Sequence, residues 1–130
     1  MWDLGLGYDR NANIFYFYRY GINDFGDPIP IDDLQYTYAN NGLSNKLPKV
    51  TESQYGNASQ GFKDGTNPGD DYMYDDFGNM YKDANKGITD ITYNHLNLPK
   101  RISFETGSYI LYIYNALGIK IRKTVTEADT

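Results

Sequence analysis

The stretch that decides the fold is YMYDDFGNMYKDANKGI, residues 72–88. Its first two tyrosines stand two residues apart, which places them on one face of a strand. Asp75, Gly78 and Asn79 are turn residues, because Asp and Asn side chains bond to nearby backbone N–H groups and glycine adopts positive φ at little cost. MYKD then supplies a second strand. The stretch therefore predicts a β-hairpin with Gly78 and Asn79 at its tip.

The pattern recurs along the chain. Five copies of a tyrosine followed by turn residues begin at Tyr8, Tyr38, Tyr74, Tyr93 and Tyr114. The last three tyrosines are 19 and 21 residues apart, and a fixed period of this size is typical of repeat architectures. Apolar residues at every second position precede the later tyrosines. The sequence therefore predicts an all-β fold of consecutive antiparallel β-hairpins, forming a curled meander that is not a closed shell.

Composition limits the possible classes of protein. The chain has 130 residues, 14 of them Tyr and 13 Gly, and its net charge is −5. An acidic chain of this kind is not expected to bind nucleic acid, which requires a basic surface. With no cysteine, neither disulfides nor thiolate metal sites can form. No apolar run is long enough for a membrane span.

The length predicts a single domain over residues 1–130, interrupted by two loops. Residues 55–71 are rich in Gly, Asn, Asp and Ser, which predicts a long surface loop. Residues 21–30 form a second predicted loop, whose two prolines are expected to keep it out of a central strand.

The copy at 74–87 resembles the YD repeat of the RHS protein family. That repeat is Tyr-Asp-x-x-Gly-Asn with a further glycine about thirteen residues after the tyrosine. Its motif positions are matched here by Tyr74, Asp75, Gly78, Asn79 and Gly87. The other copies are partial: Tyr8 with Asp9, Asn13 and Gly21; Tyr38 with Gly42; Tyr93 alone; Tyr114 with Gly118. The resemblance covers about residues 8–125.

The resemblance implies a ribbon of hairpins that in large members encloses a C-terminal toxin or effector. It also implies a secreted or cell-surface bacterial protein. A closed shell needs many hundreds of residues, so we expect a fragment or a truncated member that serves as a structural scaffold.

No residue pattern predicts catalysis, a bound metal or a cofactor. His95, the single histidine, has no Ser or Cys nearby. The acidic residues around Asp70 and Asp75 lack the ligand order and the distant Glu of a calcium loop. We interpret them as turn caps and a solvated loop, and we expect no enzymatic activity.

The tyrosines have two interpretations. In the first, they pack across strands as aromatic pairs, each contributing about 0.2–1 kcal/mol. In the second, an exposed tyrosine face built from Tyr36, Tyr72 and Tyr112 binds carbohydrate, which the family resemblance also favours. The alternative function is therefore a carbohydrate- or surface-binding module.

The end strands predict self-association. A short ribbon exposes unpaired N–H and C=O groups at two sheet edges, and such edges pair with neighbouring repeats of a longer chain or with a second copy. The first strand also carries Trp2, the only tryptophan, which a lone ribbon would cover poorly.

Overall fold

The computed structural model describes residues 4–128, so Trp2 and its predicted exposure lie outside the described part of the chain. The chain divides into two compact units, Met1–Thr66 and Asn67–Thr130. Each unit contains one antiparallel sheet, and in each sheet the strands are ordered as they follow one another in the sequence.

The first unit holds a four-stranded sheet. Its strands are β1 (Leu4–Tyr8), β2 (Ile14–Ile22), β3 (Pro28–Thr37) and β4 (Lys49–Glu52). Residues 53–71 carry no strand, and this range includes the whole of the loop predicted at 55–71.

The second unit holds a six-stranded sheet. Its elements are β5 (Tyr72–Tyr74), β6 (Met80–Asp83), a 3-10 turn (Ala84–Lys86), β7 (Ile88–Tyr93), β8 (Pro99–Phe104), β9 (Tyr109–Tyr114) and β10 (Lys120–Thr126). Neither sheet closes into a barrel. The predicted all-β fold of antiparallel hairpins is confirmed.

One turn geometry joins most of the hairpins. In these turns the carbonyl of the first residue accepts a hydrogen bond from the N–H of the fourth residue, and the N–H of the first residue donates to the carbonyl of the fifth. The fourth residue has positive φ. This is the three-residue hairpin loop built on a type I turn and a bulge. Within the described residues such turns begin at Asp9, Asn23, Asp75, Asn94, Phe104 and Asn115.

The predicted loop at residues 21–30 is wrong. Ile22 ends β2, Pro28 begins β3, and residues 23–27 form the short hairpin turn between them. β3 lies between β2 and β4, but its pairing with β4 covers only Leu34–Thr37. Pro28 and Pro30 thus occupy the half of β3 that pairs on one side only, and prolines within sheets are confined to such edge positions.

The cores of the two units contain few fully buried apolar side chains. Those in the described residues are Ile31, Leu34 and Val50 in the first unit and Ile91 in the second. A thin core leaves much of the specificity to turn and cross-strand contacts. No helix in the described part of the chain has the length and hydrophobicity needed to span a membrane.

Candidate functional site

Contacts between successive copies define the first candidate site. In three copies the motif tyrosine donates its hydroxyl to the backbone carbonyl six residues after the preceding motif tyrosine. The pairs are Tyr38 to Ile14 at 2.9 Å, Tyr93 to Met80, and Tyr114 to Pro99 at 2.7 Å. We call this contact the tyrosine lock. It fastens one hairpin to the hairpin before it.

Strand register explains why the lock repeats. In four hairpins the motif tyrosine lies opposite the residue six positions later, and the pairing is irregular next to that pair. The pairs are Tyr8 with Ile14, Tyr74 with Met80, Tyr93 with Pro99 and Tyr114 with Lys120. Since the register is the same, the carbonyl at the sixth position occupies the same place in each copy, where the next tyrosine can reach it.

The Asp or Asn after the tyrosine organises the turn. Asp75 Oδ1 accepts the N–H groups of Phe77 at 2.9 Å and Asn79 at 2.8 Å. The same pair of bonds is made by Asp9, Asn23, Asn94 and Asn115. In these five turns a side-chain oxygen therefore accepts the two N–H groups, and Asn replaces Asp without loss of the geometry.

Hydrogen bonds also shift the acidity of the turn carboxylate. Partial desolvation raises the pKa of Asp75, but bonds from the Asn79 side chain and backbone and from the backbone of Phe77 and Gly78 outweigh it, and the net pKa is lowered. Asp9 shows the same balance, because bonds from Asn13 and Asn11 outweigh desolvation and lower its pKa. Both turns thus favour the ionised carboxylate.

An asparagine contact links neighbouring turns. The Asn79 side chain donates to Asp75 Oδ2 at 3.1 Å within its turn and to Asn97 Oδ1 at 3.2 Å in the next copy. In the first unit Asn13 donates to Asp9 Oδ2 and, at 3.0 Å, to Asn45 Oδ1. This motif asparagine therefore joins turns as well as closing its own.

Three predicted motif glycines have different surroundings. Gly42 has positive φ, but its turn lacks the shared geometry: the N–H of Ala39 donates to the carbonyl of Lys46, not to that of the residue four positions later. Gly21 lies inside β2, where a Cβ would come within 2.7 Å of Ile31, whereas Gly87 has a φ of 63° at the end of the 3-10 turn. The distal glycines thus avoid a clash in one copy and permit a left-handed residue in the other.

The proposed ligand face is divided between the two units. Tyr36 lies in β3 of the first unit. Tyr72 and Tyr112 lie in β5 and β9 of the second unit, and three strands of that sheet separate β5 from β9. All three side chains are half-buried. Burial is the main cause that raises the pKa of Tyr36 and of Tyr72. The Lys120 ammonium lies 3.9 Å from the centre of the Tyr112 ring, so that ring already has a cationic partner.

A concave surface in the first unit includes Tyr36. It has a volume of about 580 Å³ and is lined by Asp9, Arg10, Phe15, Tyr36, Leu43 and neighbouring residues. Phe15 and Leu43 are exposed. Aromatic rings beside a carboxylate and a guanidinium are a combination suited to a small polar ligand with an apolar face.

Two buried aspartates, Asp32 and Asp83, are structural. Asp32 is buried and accepts Arg19 Nη2 at 2.6 Å and the N–H of Phe62 at 2.7 Å, so it anchors the loop after β4. Buried Asp83 caps the 3-10 turn through Lys86 N–H. His95 is exposed in its turn. No group of three or more His, Cys, Asp or Glu side chains within residues 4–128 is placed to hold a metal.

Sequence reasoning missed one repeat-like hairpin. Ile22 stands where the motif tyrosine would stand, Asn23 caps the turn, and Ile22 pairs with Pro28 six residues later. The spacing Asn-x-x-Gly from Asn23 to Gly26 is the available signal in the sequence, but Ile22 replaces the tyrosine that marks the other copies. Phe104 begins another such turn with no Asx cap at all.

Comparisons with known proteins identify no relative. No protein-family model matches the chain, and no curated protein or solved structure is significantly similar to it. The likeness to YD repeats therefore depends on the motif residues alone.

Proposed function

We propose that this chain is a structural repeat segment of a secreted or cell-surface protein of the RHS type. Full-length proteins of this type would enclose a C-terminal toxin or effector within the ribbon of hairpins. The observation that carries the proposal is the tyrosine lock, which fastens three hairpins to their predecessors at one register. A contact made between copies, rather than within one, is what a propagating ribbon requires.

A ribbon held by such contacts gains stability as copies are added, because each new copy contributes its own hairpin and one more interface. The test duplicates residues 93–113 and inserts the duplicate directly after Ile113. The inserted copy then begins with its own tyrosine and ends before Tyr114, so that every lock can form. The control inserts the same 21 residues in scrambled order.

We expect the duplicated protein to fold, to gain β-sheet signal in circular dichroism, and to unfold at a higher urea concentration than the original chain. The scrambled insertion should lower that concentration. Equal destabilisation by both insertions would show that the hairpins are not interchangeable units, and the scaffold proposal would fail.

The concave surface supports carbohydrate binding as a second candidate function. Aromatic faces stack on the apolar side of sugar rings, and Phe15 and Tyr36 line the same surface as Asp9 and Arg10. A glycan array with the unchanged chain, Phe15→Ala and the control Tyr55→Ala tests it, since exposed Tyr55 is not among the residues lining the concavity. Binding lost only in Phe15→Ala would support this function, and an array with no bound glycan would reject it.

A further inference from the structure

Tyr8, the first motif tyrosine, makes no lock among the described residues. It ends β1, an edge strand of its sheet, and its side chain is 56% exposed. Its counterparts Tyr38, Tyr93 and Tyr114 are all half-buried. No hydrogen bond of the Tyr8 hydroxyl occurs among the described residues. An unused donor therefore stands at an open sheet edge.

The matching acceptor lies at the edge of the other sheet. Lys120 begins β10 and pairs with Tyr114 in the register that places Ile14, Met80 and Pro99 opposite their tyrosines. Those three carbonyls each receive a tyrosine hydroxyl, whereas no side chain in the described part of the chain donates to the carbonyl of Lys120. β10 pairs with β9 only.

We propose that β1 of one molecule pairs with the outer edge of β10 of a second copy of this chain, with Tyr8 donating to the Lys120 carbonyl. The inference rests on the proposed repeat function, because it extends the tyrosine lock from neighbouring copies to neighbouring molecules. Both edge strands present unpaired backbone groups. β1 supplies the Tyr8 hydroxyl as donor, and β10 supplies the Lys120 carbonyl as acceptor.

Charge favours β1 over a second β10 as the occupant. β10 carries Lys120, Arg122 and Lys123, so two β10 strands side by side would bring like charges together. β1 is LGLGY, with no charged residue, and Asp9 follows it directly. The pairing also covers apolar side chains that are exposed in the lone chain, among them Ile121 and Val125.

The internal pairings give the register of the contact. In β8 and β9, Arg101, two residues after Pro99, pairs with Leu111, three before Tyr114. In β2 and β3, Tyr16 and Gln35 are related in the same way. Applied to the edges, this places Arg122 of one molecule opposite Gly5 of the other. The interface joins two different surfaces, so repetition gives a line or a ring of molecules.

Two single-cysteine variants test this register, since the natural chain has no cysteine. Gly5→Cys and Arg122→Cys are mixed under mild oxidation, and the products are identified by mass. We expect the mixed dimer to dominate over both homodimers. Homodimers of Arg122→Cys alone would show symmetric pairing of β10, and an absence of disulfide dimers would show that the edges do not meet; either result would overturn the proposal.

The hydroxyl contact has its own measurement. Tyr8→Phe should raise the dissociation constant of self-association about three- to tenfold in analytical ultracentrifugation, as expected for loss of one hydrogen bond. Tyr109→Phe, the same change at a tyrosine without a lock, should leave it unchanged. An equal effect of both variants would contradict the lock between molecules. If these tests fail while the duplicated copy of residues 93–113 still stabilises the chain, the scaffold function stands and the contact between molecules is rejected.

Discussion

Replacing Gly78 by alanine measures how much the left-handed turn residue contributes to the second unit. Gly78 has a φ of 85°, and a Cβ built there meets no atom within 4 Å. Any loss of stability in Gly78→Ala therefore comes from backbone strain, because no clash contributes. An L-residue in the left-handed region costs about 1–2 kcal/mol. The smaller entropy of the unfolded alanine chain returns about 0.4–1 kcal/mol.

The net expectation is a loss of about 1 kcal/mol. For a unit of this size that loss lowers Tm by about 4–8 °C. In urea, with a slope of about 1–2 kcal/mol per molar, the unfolding midpoint falls by about 0.5–1 M. Circular dichroism during thermal and urea unfolding records both values.

Gly69→Ala is the matched control. Gly69 belongs to the same unit, also has open space around its Cβ position, and does not have a left-handed φ. Alanine there should leave the midpoint unchanged or raise it slightly. Equal midpoints for Gly78→Ala and the unchanged protein would refute the argument from backbone strain.

The remaining predictions concern the turn and the lock. Ala12 has a φ of 62° at the place of Gly78, so Ala12→Gly should raise the urea midpoint of the first unit, since relieved strain exceeds the added chain entropy. Tyr93→Phe should cost about 0.5–1.5 kcal/mol through loss of its bond to Met80, whereas Tyr109→Phe should cost little. The lowered pKa of Asp75 stabilises the fold at neutral pH, and this stabilisation should disappear as the pH falls through the folded pKa; Asp75→Asn should show a smaller loss in urea unfolding between pH 7 and pH 3.

Each of these expectations has an outcome that contradicts it. A lower midpoint for Ala12→Gly would mean that chain entropy outweighs strain at this turn. Equal stability of Tyr93→Phe and Tyr109→Phe would show that the lock contributes nothing measurable. An unchanged acid sensitivity in Asp75→Asn would mean that other carboxylates control unfolding at low pH.

The hairpins were predictable because their determinants are local. Asp75 and Gly78 lie within one turn, and both act on their own backbone. The lock was not predictable from the motif, since Tyr38 bonds Ile14 across 24 residues whereas Tyr114 bonds Pro99 across 15. The number of residues between the tyrosine and its acceptor varies, whereas the pairing register of the strands in the sheet does not.

Other features depended on partners that the sequence does not place. Asp32 is buried because Arg19 and the loop after β4 neutralise it, and nothing near Asp32 in the sequence indicates this. The prolines of β3 predict a segment outside any central strand, but a strand that pairs along only part of its length tolerates them. In both cases tertiary contacts override the local preference.

The shared register also separates what is constant in a copy from what can vary. In the second unit the motif turns follow Tyr74, Tyr93 and Tyr114, and the alternate turns, at the opposite rim of the sheet, differ from one another. The interval from Tyr74 to Tyr93 is two residues shorter than the next. One residue added to each strand of a hairpin lengthens it by one residue pair without moving the tyrosine at the rim that carries the motif turns. Residues can therefore be inserted in pairs at one rim of the sheet, while the other rim keeps the motif turns and the tyrosine locks that join the copies.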